Sequence, residues 1–331
     1  MSDRPAIIAK SAEEMHWWKT IRVDVTQTIE RSSASLDKFA GVTLAKQTDY
    51  HYTETAAGER RLSLVMTLVD GTVSRKEQYF DGRKGTTIQY DKDHPEKQTA
   101  ARTGKTFGSE ASIPGADRPI PLKYQYVGNI PLHEALEKAQ DLGEAEIDAK
   151  PCDKFMFNDV LLGQVRQNLL YFLRRDDALP VRVESYDGPD PATAHRLWIW
   201  ESQKVDVVQG HPFVVKSELT QFNRDGDVRM TTHSEVTHVA FNEKVGSETF
   251  RPSISPNVEV SDAATGKILT PARKEADAVP KAPEAVPKTS EATGVVEVAE
   301  PPVGWDPVLV YSCWGLGVAL LAAGLALKIR R

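Results

Sequence analysis

Between Arg61 and Phe241 apolar side chains recur at every second position, run after run. A chain patterned this way can bury them together only on one face of a β-sheet. In Arg61–Val69 (RLSLVMTLV) the residues Leu62, Leu64, Met66 and Leu68 share a face before the chain turns at Asp70-Gly71. Thr72–Phe80 and Lys84–Tyr90 follow, separated by Asp81-Gly82. Asp-Gly between alternating runs is the signature of tight hairpins, because glycine takes the positive φ those turns need. The pattern returns in Pro180–Tyr186, which ends at Asp187-Gly188, and in Val214–Phe222, joined through NRDGD to Val228–Phe241. On that last run Val228, Met230 and Val236 lie on one face and Val239 and Phe241 on the other, which predicts a bulge near His238. Leu197–Trp200 is apolar on both faces, as a strand beneath a covering layer would be.

Helical spacing is scarce. Ile8, Ala12, Met15 and Trp18 fit one helix face; the β-branched Ile21, Val23, Val25 and Ile29 then alternate and favour a strand. Pro131–Leu142 carries an apolar stripe of Leu132, Ala135, Leu136 and Ala139, opened by a proline and followed by Gly143, so a helix is expected there. No internal repeat of 20–50 residues is visible. Many antiparallel strands with two or three helices make an α+β domain.

The far end is different in kind. Val308–Leu327 is a run of twenty residues without a charge, long enough at 1.5 Å per residue to cross the roughly 30 Å hydrocarbon core of a bilayer. Trp305 and Tyr311 sit at interfacial positions, and Lys328, Arg330 and Arg331 close the chain. Ahead of it, residues 266–304 are rich in Pro, Ala, Glu and Lys, with six prolines from Pro271 to Pro302. Such a segment cannot bury enough apolar surface to offset its ordering entropy, and it reads as a disordered tether. The expected organisation is therefore a β-rich domain over 1–265, a tether over 266–304 and a single-pass transmembrane anchor over 305–331. Basic residues after the span place the domain on the periplasmic side. The opening MSDRPAIIAKSAEEMHWW has no long apolar core and does not read as a signal peptide. Either an upstream start exists, the favoured reading, or the protein is tail-anchored with its domain in the cytoplasm.

Charge and motifs exclude several functions. The net charge of −6 offers no basic footprint for nucleic acid. Cys152 and Cys313, one in the domain and one in the apolar run, do not form a metal-type spacing. Gly104-Lys105-Thr106 lacks the earlier glycine of a phosphate loop, since Thr99 stands in its place. His233, Glu235 and His238 are ordinary polar strand residues, Asp225-Gly226-Asp227 is a turn without the calcium-loop pattern, and Asp176-Asp177 sits at another turn. Neither a nucleophile elbow nor a histidine near Cys152 is present in the sequence, so no catalytic residue, metal or cofactor is expected.

The order of elements then becomes informative: an N-terminal helix, alternating strands with the FDGRK turn (Phe80–Lys84), a helix beginning PLHEAL, and a strand near CDKFMF (Cys152–Phe157). The pair FLRRDDALPVRVESYDG and the closing TFRPSISPNVEVSDAATGK complete it. Over roughly residues 10–265 this resembles the LolA/LolB-like lipoprotein-carrier superfamily, in the form found in planctomycete-type bacterial proteins. The resemblance implies an incomplete β-barrel with helices on its concave face and an apolar cavity between them suited to acyl chains. Family carriers are free or N-terminally lipid-anchored, and the C-terminal span departs from both.

The inward strand positions Leu64, Met66, Val215, Leu219 and Met230 are the candidate cavity lining, with ordinary core packing as the alternative. The expected function is a non-enzymatic, membrane-tethered lipid- or lipoprotein-binding module whose partner is a lipid or acylated peptide. The alternative is an envelope-stress sensing domain acting on a membrane or anti-sigma partner.

Overall fold

The structure is a computed structural model that describes residues 4–32, 44–104, 118–128, 130–162 and 165–270. The alternating segments become strands. An N-terminal meander comprises β1 (Thr20–Arg31), β2 (Ala45–Thr55), β3 (Arg60–Leu68), β4 (Val73–Phe80), β5 (Gly85–Tyr90) and β6 (Gln98–Gly104). After the two-residue strands β7 (Tyr126–Val127) and β8 (Ile130–Pro131), a second meander comprises β9 (Gln140–Ile147), β10 (Lys150–Leu162), β11 (Val165–Arg174), β12 (Pro180–Tyr186), β13 (Arg196–Val208), β14 (His211–Phe222) and β15 (Val228–Phe241). The short strands β16 (Val260–Asp262) and β17 (Ile268–Thr270) end the described chain.

These form one large, curved sheet in the order β17-β16-β6-β5-β4-β3-β2-β1-β15-β14-β13-β12-β11-β10-β9, while β7 and β8 pair separately. Each meander is built from sequential hairpins; what joins them is the antiparallel pairing of the first strand with the fifteenth, Ile21 opposite Phe241 and Ile29 opposite Thr232. Among the described residues, only β16 runs parallel to its neighbour β6. The sheet ends at β9 and β17, so the barrel is open. The tight turns use Gly71 and Gly82 at φ +86° and +88°, the conformation that Asp-Gly foretold. The expected bulge falls at Thr237, which is skipped between the pairs Asp24–His238 and Val25–Val236.

One sheet face carries most of the core. On β1 and β3 it collects Ile21, Val23, Val25, Leu62 and Leu64, which cluster with Tyr52, Phe213 and Phe241. On β10 to β13 it collects Phe155, Tyr171, Trp198 and Trp200. The helices α1 (Arg4–His16) and α2 (Leu132–Leu136) lie on this second region through Ile7, Leu132 and Leu136. The helix expected over Pro131–Leu142 is only these five residues of α2. Gln140 onward is recruited into the edge strand β9, whose ladder with β10 satisfies the backbone that a longer helix would have paired internally.

The opposite face has smaller cores. Tyr79, Ile88 and Ala101 are covered by Ile254 and Val258 of the segment after Phe250, which Gln98 tacks down by donating to Ser253 O (2.8 Å) and accepting from Ser255 N (2.8 Å). Among the described residues no helix is long and apolar enough to cross a membrane. The tether from Pro271 and the span Val308–Leu327 lie outside the described residues.

Candidate functional site: the covered apolar face

The elements over the core face are short and differ from the sheet beneath them. Alongside α1 and α2 runs the segment 118–127, with a 3-10 turn at Leu122–Gln125 that leads into β7. Its Ile120, Tyr124 and Val127 pack into the same cluster as Ile7 and Leu136. Each large side chain buried this way contributes about 1.5–3 kcal/mol of transfer free energy. None of these elements is a strand of the fifteen-stranded sheet. The cover is therefore held by apolar packing and by a few side-chain tethers.

Those tethers are specific. Arg118 Nε donates to Glu54 Oε2 at 2.9 Å, and its second nitrogen pairs with Glu54 Oε1, fixing the segment to β2. The Arg118 guanidinium also lies 3.8 Å from the centroid of the Tyr126 ring. The Tyr52 hydroxyl donates to the same carboxylate at 2.8 Å, and burial followed by the Glu54 charge pushes its phenol well above the ordinary value. Burial and Glu54 likewise raise the Tyr126 phenol to about 12. Tyr171 Oη donates to Tyr126 O at 2.8 Å. Arg4 joins the helices to each other, donating to Leu136 O at 3.0 and 2.5 Å and to Ala139 O. At the far end of α1, Trp17 stacks on His211 with centroids 3.6 Å apart, and His211 Nδ1 sits 3.0 Å from a Glu14 carboxylate oxygen.

Of the candidate lining residues, Leu64 and Val215 share a cluster with Trp17 and Trp18 beside the end of α1. Leu219 belongs to the neighbouring cluster with Ile7 and Tyr124. Met66 packs on Ala45, Leu68 and Ile29, away from the cover. Met230 is half-buried, opposite Arg31 on β1 and Gln221 on β14. The five share a sheet face but do not meet at one point. Where the cover meets the sheet there is a cavity of about 10 Å³ between Pro121, Tyr124, Leu179, Trp200 and Phe213. That is room for about one water-sized atom. Tyr124 and Trp200, whose rings stack at 4.3 Å, are the functional candidates that sequence reading passed over. The signal for Trp200 was the two-sided apolar run Leu197–Trp200; for Tyr124 it was the concentration of Pro119, Pro121, Tyr124 and Tyr126 in a stretch without periodicity.

The polar motifs resolve into structural roles. His233 stands between Glu30 (3.8 Å) and Glu218 (3.3 Å), and Glu235 pairs with Lys216 at 2.8 Å. Asn223 accepts from the amides of Asp225 and Asp227, closing the β14–β15 turn. Arg174 pairs with Asp176 and Asp177. Cys152 is buried, and burial pushes its thiol up, away from the reactive thiolate. Gly104 ends β6, while Lys105 and Thr106 lie outside the described residues. Among the described residues no group of three or more His, Cys, Asp or Glu side chains is arranged to hold a metal ion.

No family model matches the chain, and no curated protein matches it. Solved structures with a similar backbone include a putative outer membrane lipoprotein-sorting protein domain from Vibrio parahaemolyticus, at 10% identity over 74% of this chain and 94% of that one, with a TM-score of 0.46. A DUF1329 family protein from Desulfovibrio piger is similar at 10% identity over 76% and 98%, with a TM-score of 0.42. A LolA superfamily protein from Nitrosomonas europaea is similar at 9% identity over 76% and 99%, also with a TM-score of 0.42.

Proposed function

We propose that this chain is a non-enzymatic, membrane-tethered module that binds a lipid or an acylated peptide on the sheet face beneath α1, α2 and the 118–127 segment. One observation carries the reading. An apolar sheet face, made of separate clusters, is closed by short elements that contribute no strand to the large sheet, so they can separate from it without breaking its ladder. Displacing them would expose aromatic and aliphatic side chains in a trough, the surface that an acyl chain fills. The resemblance in element order to lipoprotein carriers agrees with this.

In the open form Leu64, Val215 and Leu219 line the trough next to the cover, and Met66 and Met230 extend the same face beyond it. The expected start of the tether at 266 moves past β17, which pairs Ile268 and Thr270 with β16; the tether from Pro271 and the anchor over 305–331 would hold the domain at its own membrane, on the periplasmic side. It would then accept cargo locally and not ferry it across a gap. Titrating a fluorescent fatty-acid probe into the full chain tests the reading. Saturable binding, with tryptophan emission quenched by energy transfer to the probe, is expected; a linear, non-saturating response would overturn it.

A further inference from the structure

The cavity between the cover and the sheet has a chemistry that its size makes specific. It is walled by the apolar side chains of Pro121, Leu179, Pro180, Phe213 and Val214, by Gln125, and by the stacked rings of Tyr124 and Trp200. Those two residues are only 2% and 1% exposed, yet the Tyr124 hydroxyl and Trp200 Nε1 have no hydrogen-bond partner among the described residues. A buried polar atom left unpaired costs about 1–3 kcal/mol, so two on adjoining rings beside one small cavity call for an occupant.

Counting hydrogens narrows what that occupant is. The indole N–H only donates. Burial, then the neighbouring Tyr171, pushes the Tyr124 phenol well above its ordinary value, so it keeps its proton and donates as well. A carbonyl oxygen brings two lone pairs and no hydrogen, which matches two donors. A water also brings two lone pairs, but it adds two hydrogens for which the wall offers the Gln125 amide oxygen as side-chain acceptor, so a carbonyl and a water are told apart by experiment.

We propose that Trp200 Nε1 and the Tyr124 hydroxyl form an oxygen-acceptor subsite that takes the ester carbonyl of an acyl-glycerol type cargo. The subsite fixes the ester where Tyr124 stays stacked on Trp200, while α1 and α2 lift to let the acyl chain run onto the apolar face. This deepens the lipid-binding reading and rests on it.

The test uses the full chain and two glycerolipids of equal chain length, one ester-linked and one ether-linked, each displacing a fluorescent fatty-acid probe. The ester lipid should displace the probe at about tenfold lower concentration, the factor that about 1.4 kcal/mol of hydrogen bonding is worth. Tyr124→Phe and Trp200→Phe should each reduce that preference, read as the ratio of ester-lipid to ether-lipid affinity. Equal affinities for the two lipids in the unaltered protein, the result if the occupant is an internal water, would overturn the proposal alone. So would a full preference retained in both variants. If neither lipid displaces the probe, or the probe itself does not bind, the lipid-binding reading falls and the subsite with it. The comparison on the unaltered protein decides the matter even if a variant fails to fold.

Discussion

Arg118 and Glu54, 64 positions apart in the chain, form a two-point ion pair that ties the covering segment to β2, with side chains only 8% and 5% exposed. Breaking one partner of a buried pair leaves an uncompensated charge, which costs about 3–5 kcal/mol, whereas removing both is far milder. Arg118→Met should therefore lower unfolding stability in urea by about that much, and adding Glu54→Gln should restore a large part of it. Equal stability of Arg118→Met and the unaltered protein would mean that the cover is held by packing alone.

Glu77 gives a pH-dependent counterpart on the other face. Burial acts to raise its carboxyl, but hydrogen bonds from Tyr79 (2.6 Å), Arg75 (2.7 Å) and Tyr90 (2.9 Å) outweigh it and hold the group below the usual carboxylate value of 4.5. With the folded value depressed, the unfolded chain binds the proton first as pH falls. The stability from Glu77 is thus present above about pH 4.5 and lost as pH drops through the lower folded value. Thermal unfolding should show Glu77→Gln less stable than the unaltered protein at pH 7, by about 1.5–3 kcal/mol for hydrogen bonds to a charged group. The gap should narrow as the pH falls below about 4.5; a constant gap would remove the charge from the explanation.

Met66 and Met230 separate filled core from open face. Met66 is 1% exposed and packed on Ala45, Leu68 and Ile29, so Met66→Trp should overpack it and cost about 1–3 kcal/mol. Met230, half-buried at the sheet's margin, should accept Trp with less than about 0.5 kcal/mol of change, as surface sites usually do. Chemical denaturation of the two variants checks both; the reverse order would mean that Met66 borders empty space.

The anchor is a sequence expectation, and membrane fractionation tests it. Leu320→Asp with Leu321→Asp puts two charges into the middle of the apolar run, at roughly 2.5–3.5 kcal/mol each on the insertion scale. The double variant should leave carbonate-washed membranes that retain the unaltered chain. Its retention would contradict a spanning helix.

Alternation revealed strands best where one face is strongly apolar: Pro180–Tyr186 and Val228–Phe241 match β12 and β15 end to end. It was silent on β2, AKQTDYHYTET, because the inward positions there are Thr48, Tyr52 and Glu54, whose burial depends on distant partners such as Arg118. Three buried carboxylates were hidden as well. Glu54, Glu77 and Glu184 each accept from a tyrosine two residues away on the same strand; Arg118 reaches Glu54 from another segment, while Arg75 and Arg182 pair with Glu77 and Glu184 from their own strands, a run of polar residues that reads as surface. In the site, Leu197–Trp200 was read as lying beneath a cover, and Trp198 and Trp200 do. What covers them was not legible, since residues 118–127 fold by fitting the sheet and carry no period of their own.

Native mass spectrometry of the protein, released gently from membranes and with the domain folded, tests the central claim most directly. The account predicts a species heavier than the bare chain by the mass of one ester-linked lipid, exchanging for an added lipid of known mass in a one-to-one complex. A spectrum holding only the bare chain, both as isolated and after incubation with excess lipid, would contradict it.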